Sequence, residues 1–191
     1  IDPGEECDDG NLDPCDGCLP TCVEYTPGPP GALTAPTVIA SNTVWCDQDV
    51  TLSGSVVVLQ SATLFVGPGT VVTAAADATL QIRGHLRVGG SEASPVLFTG
   101  PDVAPQGTGG GAGAAGDVPE PRWQGIEVRR DLGATVRLEH ATLEQARSSL
   151  LGIGDPSGSE PSSVRSSNFR QNDSALSGRF DCSGWGCRFE V

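Results

Sequence analysis

Residues 62–67 read Ala-Thr-Leu-Phe-Val-Gly, and residues 78–84 repeat this phrase as Ala-Thr-Leu-Gln-Ile-Arg-Gly. Shorter copies follow at residues 134–136 and 141–143. Each copy alternates with the period of two that is typical of a β-strand, and no helical period runs between copies. A strand that recurs about every 16 to 20 residues without a helix predicts a solenoid in which each rung covers the preceding one.

The alternation also predicts which side chains face the core. The apolar positions Leu80, Ile82, Leu86, Val88, Ile126, Val128, Val136 and Leu138 should point inward, and Arg83, Arg87, Glu127, Arg129, Arg137 and Glu139 should point outward. If the strands at 126 and 136 are neighbouring rungs, their charged residues form a solvated ladder of opposite charges. Short strands without tight hairpin turns favour parallel stacking, and an antiparallel jelly roll is the alternative fold.

Composition restricts the class of partner and the compartment. The chain has 191 residues, of which 24 are acidic and 11 basic, giving a formal charge of −13. Nucleic acid and anionic membrane surfaces are therefore poor partners, whereas divalent cations and cationic surfaces are favoured. Seven cysteines in a chain rich in glycine and proline predict an oxidising compartment, so we expect a secreted, extracellular or cell-surface protein.

The sequence was also searched for membrane-spanning and export signals. The chain has no run of ~18 apolar residues, so no membrane span is predicted. It also lacks a basic segment followed by an apolar one at its start. Either Ile1 follows a processing site, or the sequence is part of a longer polypeptide.

The chain divides into three parts by composition. Residues 1–24 form a head rich in cysteine, aspartate and glycine, with too little apolar content for a core. Residues 25–44 form a Pro/Gly-rich linker, and residues 45–191 carry the strand phrases. A glycine-rich stretch at 101–121 interrupts the phrases and predicts a surface loop inserted into one coil.

The strand region resembles a known family of secreted proteins. The resemblance rests on Thr63-Leu64-Phe65-Val66-Gly67-Pro68-Gly69, on Leu80-Gln81-Ile82-Arg83-Gly84, on Pro95-Val96-Leu97-Phe98-Thr99-Gly100 and on Trp123-Gln124-Gly125-Ile126. These segments resemble right-handed single-stranded parallel β-helix proteins of the pectate-lyase-like type, over residues 45–190 approximately. The resemblance implies an all-β solenoid, an architecture shared by adhesins, surface proteins and carbohydrate-active enzymes. The matched residues are turn and core residues, which specify fold rather than function.

The head resembles the cysteine-rich repeat of myxobacterial and other bacterial surface proteins. The matching residues are Gly4-Glu5-Glu6-Cys7-Asp8-Asp9-Gly10-Asn11, Asp16-Gly17-Cys18 and Cys22. The family has a further Cys-Gly-x-Gly upstream, and reads Gly-Asp-Gly-Cys where residues 14–18 of this chain read Pro-Cys-Asp-Gly-Cys. The disulfide pairing of the family therefore does not transfer directly.

The head is also a candidate metal site. Oxygen ligands crowd into nine residues at Asp8, Asp9, Asn11, Asp13 and Asp16. Because Ca²⁺ takes six to eight oxygen ligands from a flexible loop, this segment predicts calcium binding. The alternatives are an acidic, disulfide-held turn without metal, and zinc on Cys7, Cys15, Cys18 and Cys22, of which only the pair 15 and 18 has ligand-like spacing.

Seven cysteines cannot all pair within one chain. The candidates for disulfides are Cys7, Cys15, Cys18, Cys22, Cys46, Cys182 and Cys187. Cys182 and Cys187 could close a small loop, and the four head cysteines could form two bridges that leave Cys46 over. Alternatively, Cys46 ties the linker to the first coil. An odd cysteine then forms an intermolecular bond, pairs outside this chain or remains a free thiol.

Catalysis has little support in the sequence. The two histidines, His85 and His140, lie in strand phrases, and no Gly-x-Ser-x-Gly elbow occurs. Carboxylates for glycoside cleavage would have to come from Glu127, Asp131, Glu139 and Glu144. We therefore expect no catalytic residues.

The sequence predicts a non-enzymatic structural or adhesive protein of a bacterial cell surface. No cap follows the strand phrase at 187–191, which suggests head-to-tail stacking of copies into a fibre, or contact with other surface proteins or polysaccharide. The alternative function is a carbohydrate-binding or carbohydrate-cleaving β-helix, which would need a groove lined by aromatic and acidic residues.

Overall fold

The computed structural model describes Cys15 and residues 32–101, 121–153, 162–177 and 187–189. These residues form 18 short β-strands and a single turn of 3₁₀-helix, at Arg130–Leu132. The strands are β1 (Ala32–Thr34), β2 (Val38–Ile39), β3 (Thr43–Trp45), β4 (Asp49–Leu52), β5 (Val56–Val58), β6 (Thr63–Val66), β7 (Val71–Ala74), β8 (Thr79–Ile82), β9 (His85–Gly89), β10 (Val96–Thr99), β11 (Gly125–Arg129), β12 (Thr135–Glu139), β13 (Ala141–Glu144), β14 (Ser148–Ile153), β15 (Ser163–Arg165), β16 (Ser167–Arg170), β17 (Ser174–Ser177) and β18 (Cys187–Phe189).

The strands form three sheets in which each neighbour is the third strand along the chain, except that β16 pairs with β18. Sheet I has the order β1-β4-β7-β10-β13-β16-β18, sheet II the order β2-β5-β8-β11-β14-β17, and sheet III the order β3-β6-β9-β12-β15. All pairings are parallel, as between β4 and β7 or between β6 and β9. Three successive strands therefore make one coil, and the coils stack. The predicted parallel β-helix is confirmed, and the antiparallel jelly roll is wrong.

The Ala-Thr-Leu phrase does not mark one coil, contrary to the sequence prediction. Its copies at 62–67 and 78–84 lie in β6 of sheet III and β8 of sheet II, so neither covers the other. In-register partners of coils without the insert are instead 17 to 26 residues apart, from Ala32 with Asp49 to Thr142 with Asn168. The phrase marks a corner, because its alanines, at 62, 78, 134 and 141, are at most 1% exposed where a strand begins.

The core lies between the three sheets. All eight residues predicted to face inward are at most 3% exposed, and the six charged residues predicted to face outward are half-buried or exposed. Core residues also stack in register, as Val50, Val72, Phe98, Leu143 and Phe169 do through sheet I. Each such side chain stabilises the fold by about 1.5–3 kcal/mol relative to an exposed position.

The predicted charge ladder between β11 and β12 is wrong. β11 lies in sheet II between β8 and β14, and β12 lies in sheet III between β9 and β15. Glu127 is therefore in register with Gln81, whereas Arg137 is in register with Arg87. Consecutive strands of a coil occupy different faces, so alternation gives the direction of a side chain but not its neighbour.

The first coil begins earlier than the predicted linker would suggest. β1, β2 and β3 lie between Ala32 and Trp45 and pair in register with the second coil. β1 is exposed at all of its residues and shows no alternation of burial, so the sequence pattern gave no sign of this strand. The division into head, linker and solenoid stays a prediction, and the insert at 102–120 lies outside the described residues.

Candidate functional site

The corners between the sheets hold most of the described polar contacts. We call them the I–II, II–III and III–I corners, after the sheets that they join in chain order. Residues 75–78 form the I–II corner of the third coil, residues 83–84 its II–III corner, and residues 90–95 its III–I corner. Corners vary in length and composition from coil to coil, whereas the strands between them superimpose in register. Candidate sites are therefore expected at corners.

A disulfide bond closes the III–I corner of the first coil. Cys46 follows β3 and pairs with Cys15, with their Cα atoms 5.5 Å apart and a sequence separation of 31. The bridge packs directly against Gly67 of the second coil, where a Cβ atom would collide with both sulfur atoms. Cys46 is therefore not left over, and its partner is a head cysteine that the sequence analysis did not name for it.

The other predicted head ligands lie outside the described residues. These are the calcium candidates Asp8, Asp9, Asn11, Asp13 and Asp16 and the cysteines Cys7, Cys18 and Cys22, and the disulfide candidate Cys182, far from the head in sequence, also lies outside them. Cys187 begins β18, where only the backbone is described. Within the described ranges, no group of three or more His, Cys, Asp or Glu residues is arranged to hold a metal ion. Calcium binding thus remains a prediction.

The histidines and carboxylates considered for catalysis are dispersed over several coils. His85 begins β9, and its Nδ1 lies 2.8 Å from the Thr135 hydroxyl of the next coil. His140 has a left-handed backbone conformation, with φ of 48°, and turns the chain between β12 and β13. Among the carboxylates, Glu144 forms an ion pair with Arg170 at 3.3 Å. These contacts connect coils or shape corners.

The I–II corner is braced by charged and amide groups from several coils. The Asp77 Oδ1 atom accepts a hydrogen bond from Gln124 Nε2 at 3.0 Å and lies 3.3 Å from Arg147 Nη2, so one carboxylate joins the third, fourth and fifth coils. Arg122 forms an ion pair with Asp173 at 3.5 Å and donates to the carbonyl of Gln171. This corner is thus cross-linked over four successive coils.

The II–III corner instead contains a cleft. Four residues separate β5 from β6 and five separate β11 from β12, but only Arg83 and Gly84 separate β8 from β9. The short corner is therefore recessed between two longer ones. The cleft has a volume of about 590 Å³ and is lined by Leu59, Gln60, Ser61, Arg83 and Leu132. Such a volume lies within the range of small-molecule sites.

Neighbouring groups hold the cleft in shape. Gln60 Nε2 donates to the carbonyl of Leu132 at 2.9 Å, which joins the second and fourth coils. Gly84 permits the close approach beneath them, because a Cβ atom there would collide with the carbonyl oxygens of Leu59 and Ala62. The amides of Arg83 and Gly84 both donate to the carbonyl of Val58. The backbone beneath the cleft is therefore fixed.

A hydrogen-bond chain on sheet II orients Arg83. Arg83 Nε donates to Gln81 Oε1 at 2.8 Å, and Gln81 Nε2 donates to Glu127 Oε1 at 2.7 Å. Nε is thus occupied, and the two terminal nitrogens of the guanidinium have no hydrogen-bond or ion-pair partner in the described part of the chain. Arg83 is half-buried and lines the cleft, and its terminal nitrogens are donors without a partner among the described residues.

Arg129, which lies next to the cleft on β11, forms an ion pair with Asp131. Arg129 Nη2 lies 2.7 Å from Asp131 Oδ2, and Nε donates to the other carboxylate oxygen at 3.0 Å. This hydrogen bonding, together with charge attraction, lowers the pKa of Asp131 and raises that of Arg129. The two groups form a bidentate pair on the surface.

The sequence predicted that Arg83 faces outward but not that it lines a cleft. The available signal was the unequal spacing of strand phrases around the II–III corner, with two residues between β8 and β9 and five between β11 and β12. The sequence does not show which strand belongs to which sheet, so it does not show that these two spacings occur at the same corner of neighbouring coils. The braces at Asp77 and Arg147 were hidden for the same reason.

Comparisons with known proteins assign no function to the chain, so the functional proposal is drawn from the fold and its side-chain contacts. No helix among the described residues is long and apolar enough to span a membrane. No protein-family model matches the chain, and no curated protein or solved structure matches it significantly.

Proposed function

We propose that this chain is a non-enzymatic structural or adhesive protein of a bacterial cell surface, in which the parallel β-helix acts as a stiff shaft. The observation that carries the proposal is the bracing of the I–II corner, where Asp77, Gln124 and Arg147 link three coils. Charged groups in this part of the molecule serve to hold coils together. Such bracing suits a protein whose role is stiffness and reach.

The disulfide supports an extracellular role. Cys15 and Cys46 tie the head covalently to the first coil, beside Gly67 of the second. Disulfides persist in oxidising compartments, where they stabilise surface and secreted proteins. A clamp on the first described coil also opposes its unwinding, because among the described strands this coil pairs only with the second.

Contact between copies is the finer part of the proposal. β1 lies at the edge of sheet I and pairs with β4. Leu33 and Val38, the large apolar side chains that are exposed among the described residues, both lie in this first coil, at 37% and 49% exposure. Among the described strands, the outer edge of β1 has no partner, and such an edge with apolar neighbours favours addition of another strand. We propose that copies stack end to end here, and that Ca²⁺ orders the head.

The test is to examine the chain, secreted from an oxidising compartment, by analytical ultracentrifugation and electron microscopy, with and without EDTA. The proposal predicts rods that lengthen with concentration, and a Leu33→Asp/Val38→Asp variant that remains monomeric. A chain that is monomeric at every concentration would contradict assembly. Turnover of a polysaccharide substrate by the purified protein would contradict the non-enzymatic role.

Carbohydrate binding is the second candidate function, and the cleft at the II–III corner favours it. The cleft combines the apolar walls of Leu59 and Leu132 with the polar groups of Gln60, Ser61 and Arg83. Glycan-array binding that survives in the monomeric Leu33→Asp/Val38→Asp variant would support this candidate. Retention of no glycan would exclude it.

A further inference from the structure

We propose that the cleft at the II–III corner is a binding site for a small ligand that carries a carboxylate group, with Arg83 as its anchor. The inference goes beyond the shaft function and holds whether or not copies of the chain assemble. It depends on the shape of the cleft, the orientation of one guanidinium group, and the difference between Arg83 and the other arginines nearby.

The shape of the cleft follows from corner lengths. The two-residue corner at 83–84 lies between a four-residue and a five-residue corner of the adjoining coils. The Gln60 to Leu132 hydrogen bond fixes the two outer corners relative to each other. A recess held by hydrogen bonds is largely pre-formed, so a ligand would lose little affinity to reordering of the protein.

The orientation of Arg83 selects the type of ligand. Gln81 accepts from Nε and is itself held by Glu127 of the next coil. The two terminal nitrogens are left to present parallel N–H donors, an arrangement that matches the two oxygens of a carboxylate. A lysine would offer a point charge without this geometry, so the planar fork favours carboxylate recognition.

Arg83 differs in its partner from five other arginines among the described residues. Arg122, Arg129, Arg147 and Arg170 each form an ion pair with a carboxylate of the chain. Arg87 lies over the ring of Phe65, with its guanidinium carbon 5.9 Å from the centroid. Arg83 has a glutamine as its partner where these have an acid or a ring.

The carboxylates of Glu127 and Asp131, which lie near Arg83, do not pair with its guanidinium group. Glu127 accepts from Gln81, and Asp131 is paired with Arg129, so both of these carboxylates have partners other than Arg83. The chain as a whole has a charge of −13, which opposes anions at long range. Recognition must therefore rest on the local fork and the walls of the cleft rather than on steering by net charge.

The carboxylate could belong to an acidic sugar or to an acidic amino-acid side chain, and paired probes distinguish these sources. The ¹⁵N-labelled chain is titrated with D-glucuronate and with N-acetylglutamate α-amide. Their neutral counterparts, D-glucose and N-acetylglutamine α-amide, are titrated in parallel. The proposal predicts that at least one carboxylate probe produces saturable shifts at the amides of Ser61, Arg83 and Leu132, and that its neutral counterpart binds at least about tenfold more weakly.

Three variants make the test specific. Arg83→Gln should weaken binding of the carboxylate probe by about tenfold or more, because charge-assisted hydrogen bonds are lost. Ser61→Trp should block the cleft while Arg83 remains. Arg165→Gln removes one positive charge from an exposed position on sheet III and should bind as the unmodified chain does.

Several results would overturn the proposal. These are the absence of saturable shifts with both carboxylates, equal binding of a neutral counterpart, or unchanged binding by Arg83→Gln. Shifts that cluster away from Ser61, Arg83 and Leu132 would overturn it as well. Since the spectra themselves report folding, a variant that fails to fold is recognised directly, and Ser61→Trp then provides the independent test.

Discussion

The two corners that flank sheet II use their polar side chains in opposite ways. At the I–II corner, Asp77 binds Gln124 and Arg147, and the coils are tied together. At the II–III corner, Arg83 is held by Gln81 and lines a cleft. One corner braces successive coils, and the other is the ligand site that we propose. The difference teaches that a solenoid can separate rigidity and recognition by assigning them to different corners of the same coils.

Removal of the disulfide bond at the III–I corner should have the largest effect on the stability of the fold. In the double variant Cys15→Ser/Cys46→Ser, the bond that spans 31 residues is lost. The free energy of unfolding should fall by about 3–4 kcal/mol, the loop-entropy value for such a span. Denaturant unfolding measures this loss, and Ser53→Ala, at an exposed position of the second coil, is the control with little expected effect. An unchanged midpoint would show that the bridge does not clamp the first coil.

Close packing of the short corner gives the next largest effect. Gly84→Ala places a Cβ atom against the carbonyl oxygens of Leu59 and Ala62, so it should destabilise the fold by about 1–3 kcal/mol. Gly54→Ala, at the I–II corner of the second coil, meets nothing within 4 Å and serves as the matched control. Comparison of their urea unfolding midpoints tests the recess directly. Equal stability of the two variants would mean that the corner at 84 is not packed as described.

Removal of a brace should have a smaller effect. Asp77 has a left-handed backbone, with φ of 61°, which asparagine tolerates, so Asp77→Asn removes the charge and preserves the turn. We expect a loss of about 0.5 kcal/mol, because the pair with Arg147 is exposed. Asp49→Asn, on the outer face of β4, is the control. A double-mutant cycle with Arg147→Gln should show coupling, and additive effects would disprove the brace.

The smallest effect concerns the pair next to the cleft. The hydrogen bond from Arg129 lowers the pKa of Asp131, so its contribution to stability is present above the unfolded-state pKa and is lost as the pH falls through the folded-state pKa. A carboxyl-detected NMR titration should give Asp131 a pKa below the usual value of about 3.9. Arg129→Gln should return it towards that value. A pKa that does not respond to this substitution would contradict the pairing.

Much of the fold could be predicted from alternation alone. Leu80 and Ile82 face inward and Arg83 faces outward, because the side-chain period of a strand is two. The partner of each strand could not be predicted. Glu127 lies beside Gln81 rather than Arg137, because the lengths of the corners decide which strands stack. The two-residue period of a strand carries no information about those lengths. The cleft depends on the same lengths. The bond between Cys15 and Cys46 remained one of several possible pairings, because cysteine counting does not give distances.

The stacking register is the central claim, and disulfide trapping tests it most directly. In-register residues of neighbouring parallel strands lie about 5 Å apart, within reach of a disulfide. The variant Gln81→Cys/Glu127→Cys should therefore yield a crosslinked peptide in unreduced mass spectrometry. The variant Glu127→Cys/Arg137→Cys, whose positions lie on different sheets, should not. A crosslink in the second variant and none in the first would contradict the coil assignment and, with it, the separation of braced and open corners.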